Sequence, residues 1–329
     1  MRSMKDQLGR EINYMRISVT DQCNLRCRFC MPTDDLCFMK KEEILEFKEI
    51  LAIAKAAVKL GIVNFRITGG EPLVREGIEQ FLYDLKHLPG VSQVFITTNG
   101  VLLEEKLEGL KRAGIDGINV SLCSTDPKEY KSITGRDTLS NVLAGIKKSV
   151  ENGIHTKINC VPVPNLNDTH LLSIASIAKN YPIDVRFIEM MPIGQGASFA
   201  MISERQMREK LSKEFGEART ISHVNGNGPA KYVTFDGFLG NIGFISARSC
   251  AFCSHCNRVR LSADGYLKLC LNYEDGISLK ETLRGDNSEE ELIEIMSGAI
   301  YKKPVQHNFN QEQTRKYQNN RKYMAQIGG

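Results

Sequence analysis

Cys23-Asn24-Leu25-Arg26-Cys27-Arg28-Phe29-Cys30-Met31-Pro32 carries three cysteines at spacings of four and three, directly after the β-like run Met15-Arg16-Ile17-Ser18-Val19-Thr20. Thiolates are soft ligands that suit iron–sulfur clusters or zinc. Such sites commonly use four, and this stretch offers three. A three-thiolate [4Fe–4S] cluster leaves one iron open to an outside ligand. A zinc knuckle, or free cysteines packed in a core, is the plainer alternative.

Outward from that loop, Ile44, Phe47, Leu51, Ala54 and Val58 recur at helical spacing and predict a helix over Lys41–Leu60, with Gly61 as its stop. Short β-branched runs then alternate with helices. Strands are expected at 62–68, 93–97, 117–122, 154–161 and 183–189, and helices at 76–88, 104–113, 138–152 and 169–180. Six strands alternating with helices imply a parallel sheet with right-handed crossovers, either doubly wound or a partial barrel.

Strand parity favours the barrel. Arg16, Ser18 and Thr20 share one face of the first strand, and Arg66, Thr68 and Gly70 one face of the second. Thr97 with Asn99, Asn119 with Ser121, Lys157 with Asn159, and then Arg186 repeat the pattern. Parallel sheets are normally covered on both sides, so this polar face predicts an open six-stranded barrel with a wet, cationic interior. Ligands sit at the C-terminal strand ends of such folds, and the three cysteines lie just beyond the first.

Thr68-Gly69-Gly70-Glu71-Pro72 ends the second strand, where two glycines allow close approach of a ligand, or simply make an ordinary strand-to-helix turn. No G-x-x-x-x-G-K-[ST] loop is present, so a nucleotide would need side chains to hold its phosphates. Beyond Met201 the pattern changes. A helix over 204–215 and strands at 231–235 and 239–246 lead to Cys250-Ala251-Phe252-Cys253-Ser254-His255-Cys256-Asn257-Arg258-Val259-Arg260, with Cys270 beyond a turn. Zinc or a second iron–sulfur cluster would satisfy these thiols, and Arg258 and Arg260 on one parity suit an anionic substrate. Domains are expected at 1–200 and 201–329. The last 50 residues read as polar and helical, and a frayed end is the plain reading of Ile327-Gly328-Gly329.

The chain has 329 residues, 43 basic and 39 acidic for a net charge of +4, which gives no reason to expect a nucleic-acid partner. It shows no export signal and no apolar stretch of membrane-spanning length, so a cytoplasmic location and no membrane partner are expected. In that setting ten cysteines read as metal ligands rather than disulfides.

With both cysteine sets in view, the chain resembles the radical S-adenosylmethionine (SAM) enzymes, and within them the MoaA family of GTP 3′,8-cyclases of molybdenum cofactor biosynthesis. The resemblance runs nearly end to end: Gly9-Arg10, RISVTDQCNLRCRFCMP from Arg16, FRITGGEPL from Phe65, TTNG from Thr97, NVSL from Asn119, RFIEMMPIG from Arg186, FCSHCNRVRLSADG from Phe252, and the final Gly-Gly. It implies an α/β fold, a partial (βα)6 TIM-like barrel closed by a C-terminal α+β extension that carries a second cluster.

It further implies two [4Fe–4S] clusters, held by Cys23, Cys27 and Cys30 and by Cys253, Cys256 and Cys270. SAM would meet Phe29, Gly70, Ser121 and Met191. GTP would meet Arg16, Arg66, Thr97, Lys157, Arg258 and Arg260, and Gly328 and Gly329 would join Arg258 and Arg260 in the reaction. A 5′-deoxyadenosyl radical from SAM would remove the ribose 3′ hydrogen, and C3′ would bond to C8 of guanine. A flavodoxin- or ferredoxin-type electron donor is implied, with the product passed to cyclic pyranopterin monophosphate synthase and room left for a homodimer.

Cys250 departs from the family's three-ligand pattern, and ligation by it would leave no open iron. Cys123 stands where relatives often carry an acidic residue. Cys37, Cys123 and Cys160 read as spare thiols, and His255 as a possible further ligand. His87, His155 and His307 read as surface residues. Glu71 and Glu189 read either as hydrogen-bonders at the barrel mouth or as structural groups. The alternatives are a two-cluster radical SAM enzyme acting on a peptide or RNA, and a non-catalytic zinc-binding protein.

Overall fold

The computed structural model describes residues 3–31, 38–221, 228–285, 288–310 and 323–328. Six parallel strands run in chain order, β1 (Tyr14–Ser18), β2 (Asn64–Thr68), β3 (Gln93–Thr98), β4 (Gly117–Ser121), β5 (Thr156–Cys160) and β6 (Asp184–Ile188). Helices α1 (Phe47–Lys59), α2 (Ile78–Lys86), α3 (Leu103–Ala113), α4 (Pro127–Thr134), α5 (Leu139–Glu151) and α6 (Leu171–Asn180) connect them. One parity of each strand is largely apolar and buried: Met15 and Ile17, Phe65 and Ile67, Val94 and Ile96, Ile118 and Val120, Ile158 and Cys160, Val185 and Phe187 all belong to one buried core. That face packs on the helices, so the opposite, polar face looks into the barrel.

The segment after 201 extends this sheet at both edges. It supplies α7 (Glu204–Phe215), β7 (Arg219–Ile221), β8 (Lys231–Thr234), β9 (Ile242–Ile245), β10 (Arg258–Leu261), β11 (Tyr266–Lys268) and β12 (Gly276–Ser278). It continues with α8 (Lys280–Arg284), α9 (Glu289–Tyr301) and α10 (Met324–Ile327). β9 pairs parallel with β6 and β10 parallel with β1, making eight adjacent parallel strands; antiparallel β11–β12 and β8–β7 flank them. The sheet stays open, with β12 at one end and β7 at the other.

Two local expectations shift. The helix foreseen from Lys41 begins at Phe47, after a separate 3-10 turn at Lys41–Glu43, because the Leu45 amide donates to the Ala263 carbonyl at 2.8 Å and Leu45 is buried. Tertiary pairing there overrides a continuous helical period. The sequence reading also passed over α4. Asp126 caps it by accepting from the Glu129 amide at 2.8 Å, Pro127 opens it, and Gly135 closes it in the left-handed region. Among the described residues no helix is long and apolar enough to cross a membrane.

Candidate active site

The first cysteine loop is pinned from three directions. Arg26 and Arg28 amides donate to the Thr134 and Ile133 carbonyls at the end of α4, at 2.8 and 3.0 Å. The Asn99 side chain donates to Asn24 Oδ1 at 2.7 Å and approaches Cys23 Sγ at 3.7 Å. From the β2 end, the Gly70 and Glu71 amides donate to the Thr20 and Gln22 carbonyls at 2.7 and 2.8 Å. A Cβ on Gly70 would stand 2.3 Å from the Gln22 carbonyl oxygen, so only glycine lets the two loops meet.

Burial pushes the thiols up, to about 11 at Cys23 and about 12 at Cys30, and raises Cys27 too, where the neighbouring cysteines add to it. Thiolates there need a cationic metal beside them.

Glu71 is a structural link between loop and barrel. Its carboxylate accepts from the Leu73 amide at 3.0 Å, Thr98 Oγ1 at 2.7 Å and the Asn99 amide at 2.6 Å. Glu189 does the same at the far side. It accepts from the amides of Glu204, Arg248 and Ser249 at 2.9–3.0 Å, tying β6 to α7 and to the strand exit that leads to the second cysteine set.

The interior wall is cationic by register. Arg16 on β1 lies opposite Arg260 on β10 and opposite Arg66 on β2, so three guanidiniums project from one level of three adjacent strands. Neighbouring strands are about 4.8 Å apart, and like charges directly opposite one another destabilise a sheet. Burial, then the neighbouring Arg260, drives the Arg16 pKa well down; burial and Arg258 bring Arg260 to about 10. Tyr14 lies beneath them. Arg66 Nε donates to its hydroxyl, and the Arg66 and Arg258 guanidiniums each lie 5.9 Å from its ring centre. Burial raises the Tyr14 phenol, but Arg66, Arg16 and Arg258 outweigh that and lower it.

The opposite wall is also polar. Thr97, Asn119 and Lys157 are in register on β3, β4 and β5, and Ser121, Asn159 and Arg186 on β4, β5 and β6. Lys157 pairs with Asp184 at 2.9 Å and lies 3.3 Å from the Tyr232 hydroxyl, while Arg186 donates to Asn159 at 2.9 Å and to Asn119.

In the second set, Cys253 and Cys256 bracket a single 3-10 turn and Cys270 lies just past β11. Cys250 is exposed, with its Sγ 3.3 Å from Lys231 Nζ, and His255 is exposed and bonded to Ser254 at 2.9 Å. The tail is not frayed. Ile327 packs in a small core with Ile193, Ala247 and Phe309, and Arg260 Nη1 donates to the Gly328 carbonyl at 2.7 Å. Gly328 lies against Ser18 and Thr68, at the ends of β1 and β2.

The residues fit the groups expected of them. Thr68 Oγ1, Thr97 Oγ1 and Arg258 Nε are buried polar atoms with no partner among the described residues, which suits a polar ligand in the chamber. Both cysteine sets offer thiols alone, the soft donor set that suits an iron–sulfur cluster.

Arg16, Arg66, Arg258, Arg260 and Gly328 come together; Thr97, Ser121 and Lys157 line the facing wall. Phe29 and Met191 are half-covered near the first cysteine loop and the tail core respectively. Gly329 and Cys37 lie outside the described residues. Cys123 and Cys160 are buried as expected, whereas His307 is half-covered and stacked on Phe309 at 4.2 Å rather than at the surface.

Tyr14, Asp184 and Tyr232 were missed, and Arg10 was noted only within the Gly9-Arg10 match. Extending the β1 alternation one step back from Arg16 would have found Tyr14. Tyr232 enters only because β8 pairs with β9, placing it opposite Gly243.

Residues 17–178 match the Radical SAM superfamily and 183–309 match Molybdenum Cofactor Synthesis C. A GTP 3′,8-cyclase of Clostridium perfringens is 41% identical over 326 residues, covering 99% of this chain and all of that protein. One from Alkaliphilus oremlandii is 40% identical over 330 residues with the same coverage. Among solved structures, SuiB of Streptococcus suis bound to S-adenosylmethionine superposes with a TM-score of 0.64 at 15% identity, over 88% of this chain and 68% of that one.

Proposed function

The chain belongs to the GTP 3′,8-cyclase family of radical SAM enzymes, and from that premise we propose how its own residues divide the work. The protein cyclises GTP, joining ribose C3′ to guanine C8 on the route to molybdenum cofactor, and uses SAM with iron–sulfur clusters. Our reading is that Cys23, Cys27 and Cys30 hold the SAM cluster and Cys253, Cys256 and Cys270 the second. When bound, the first cluster would supply the reductive cleavage of SAM and the second a metal site for the guanine.

The chain itself binds and orients. Arg16, Arg66, Arg258 and Arg260, with Lys157, grip the triphosphate that a Walker loop would otherwise hold. Three register-matched arginines repel one another until an anion arrives, and that arrangement supports this reading above all others. Thr97 orients the nucleoside, and Phe29, Gly70, Ser121 and Met191 cradle SAM. Gly328 packs beside Arg260 and helps exclude water from the reaction, and Gly329 is the residue we assign to act with it. Cys250, turned toward Lys231, stays out of the second ligand set.

The electrons come from a flavodoxin- or ferredoxin-type donor, and the product goes to cyclic pyranopterin monophosphate synthase. We place the enzyme in the cytoplasm, with a homodimer as its candidate assembly. Anaerobic turnover with GTP, SAM and dithionite tests the function: 3′,8-cyclo-7,8-dihydro-GTP is expected. A colourless, zinc-loaded protein that leaves GTP intact would return the metal-binding alternative.

A further inference from the structure

Gly9-Arg10 is a matched motif to which the reaction gives no task. Arg10 is buried and fully engaged. Its Nε pairs with Asp6 at 2.6 Å, and both side chains are at most 6% exposed. Nη1 donates to the carbonyls of Cys253 and Val305, each at 2.9 Å; Nη2 donates to Pro304 at 2.7 Å and Lys303 at 3.4 Å. Lys303, itself buried, turns its ammonium to the carbonyl of Leu269, the residue before Cys270. One guanidinium and one ammonium thus clamp both backbone segments that carry the second cysteine set. The chain is anchored through Asp6, whose other oxygen accepts from the Leu8 and Arg10 amides at 2.9 Å.

We propose that Arg10 and Lys303 are positioning residues for the second cluster: they hold the Cys253 and Cys270 segments at the separation a [4Fe–4S] cube requires and place two buried cations behind it. The inference rests on the ligand reading of Cys253, Cys256 and Cys270. A planar five-donor fork can meet a carboxylate and several carbonyls at once, which lysine cannot. Groups that orient a ligand set typically change metal retention by about 10–100-fold when altered.

The test is iron release from the holoenzyme to a ferrous chelator, anaerobically, for Arg10→Lys and Lys303→Met. Triple-alanine variants at each cysteine set assign the two phases. The second-cluster phase should quicken by about 10-fold or more, and that cluster's EPR signal and midpoint potential should shift. First-cluster release and SAM cleavage to 5′-deoxyadenosine should stay at parent values.

Unchanged release in both variants, or equal acceleration of both phases, would overturn the proposal. Failure of Arg10→Lys to fold leaves Lys303→Met to decide it. A protein altered at Cys23, Cys27 and Cys30 that holds no cluster with Arg10 and Lys303 intact would overturn the ligand reading instead.

Discussion

Arg260 Nη1 and the Gly328 carbonyl lie 2.7 Å apart, so the chain's end is seated in the chamber formed by the guanidiniums. Gly328 has φ +77°, and a Cβ there would stand 2.6 Å from Thr68 Oγ1 and 3.2 Å from Ser18 Cβ. Gly328→Ala should therefore expel the tail. Cyclised product per 5′-deoxyadenosine formed should fall by about 10-fold or more, the loss of one buried charge-assisted hydrogen bond, and the unfolding midpoint should drop as Ile327 leaves its small core. An unaltered product ratio would mean the tail only packs.

Arg66→Ala and Arg258→Ala should each raise KM for GTP by about 10–150-fold, the 1.5–3 kcal/mol of a charge-assisted hydrogen bond, and leave SAM cleavage detectable. Tyr14→Phe removes only the acceptor of Arg66 Nε, so a smaller rise, about 3–10-fold, is expected with kcat nearly constant. Steady-state kinetics separates these outcomes. Equal KM in all three would remove GTP from this wall.

Asp184 neutralises Lys157 at 2.9 Å, with both side chains under 10% exposed. Asp184→Asn would remove the negative charge beside a buried ammonium and should lower stability by about 3 kcal/mol. Urea unfolding at neutral pH measures it. A loss under about 1 kcal/mol would place the pair in the range of a solvated ion pair.

Glu71 is buried, and burial outweighs its three donors to lift its pKa from 4.5 to about 7. Between those values the unfolded chain has lost a proton that the folded chain keeps. This group's contribution to stability is therefore full below 4.5 and is lost as pH rises through 7. Glu71→Gln cannot ionise, so its urea midpoint should vary less across that window than the parent's. Equal slopes would show a carboxylate already ionised in the fold.

Much of this was legible in the residues. Alternation along β1 to β6 placed Arg16, Arg66, Thr97 and Lys157 on the polar interior face, because strand parity is a local property of the chain. The joining of β10 to β1 was not legible. It brings Arg260 level with Arg16 across more than 240 residues, and no local pattern encodes which edge a late strand will choose. The approach of Tyr232 to Lys157 was hidden for the same reason, since it depends on β9 and β8 joining the β6 edge. The break before α1 came from one tertiary hydrogen bond at Leu45, which helical periodicity cannot register.

The central claim is that one chamber brings a SAM-derived radical to the ribose of GTP. GTP deuterated at C3′ tests it most directly, by mass spectrometry of the 5′-deoxyadenosine released in anaerobic turnover. Deuterium in that nucleoside, in proportion to cyclised product, is the predicted result. Product formed while 5′-deoxyadenosine stays unlabelled would contradict the account.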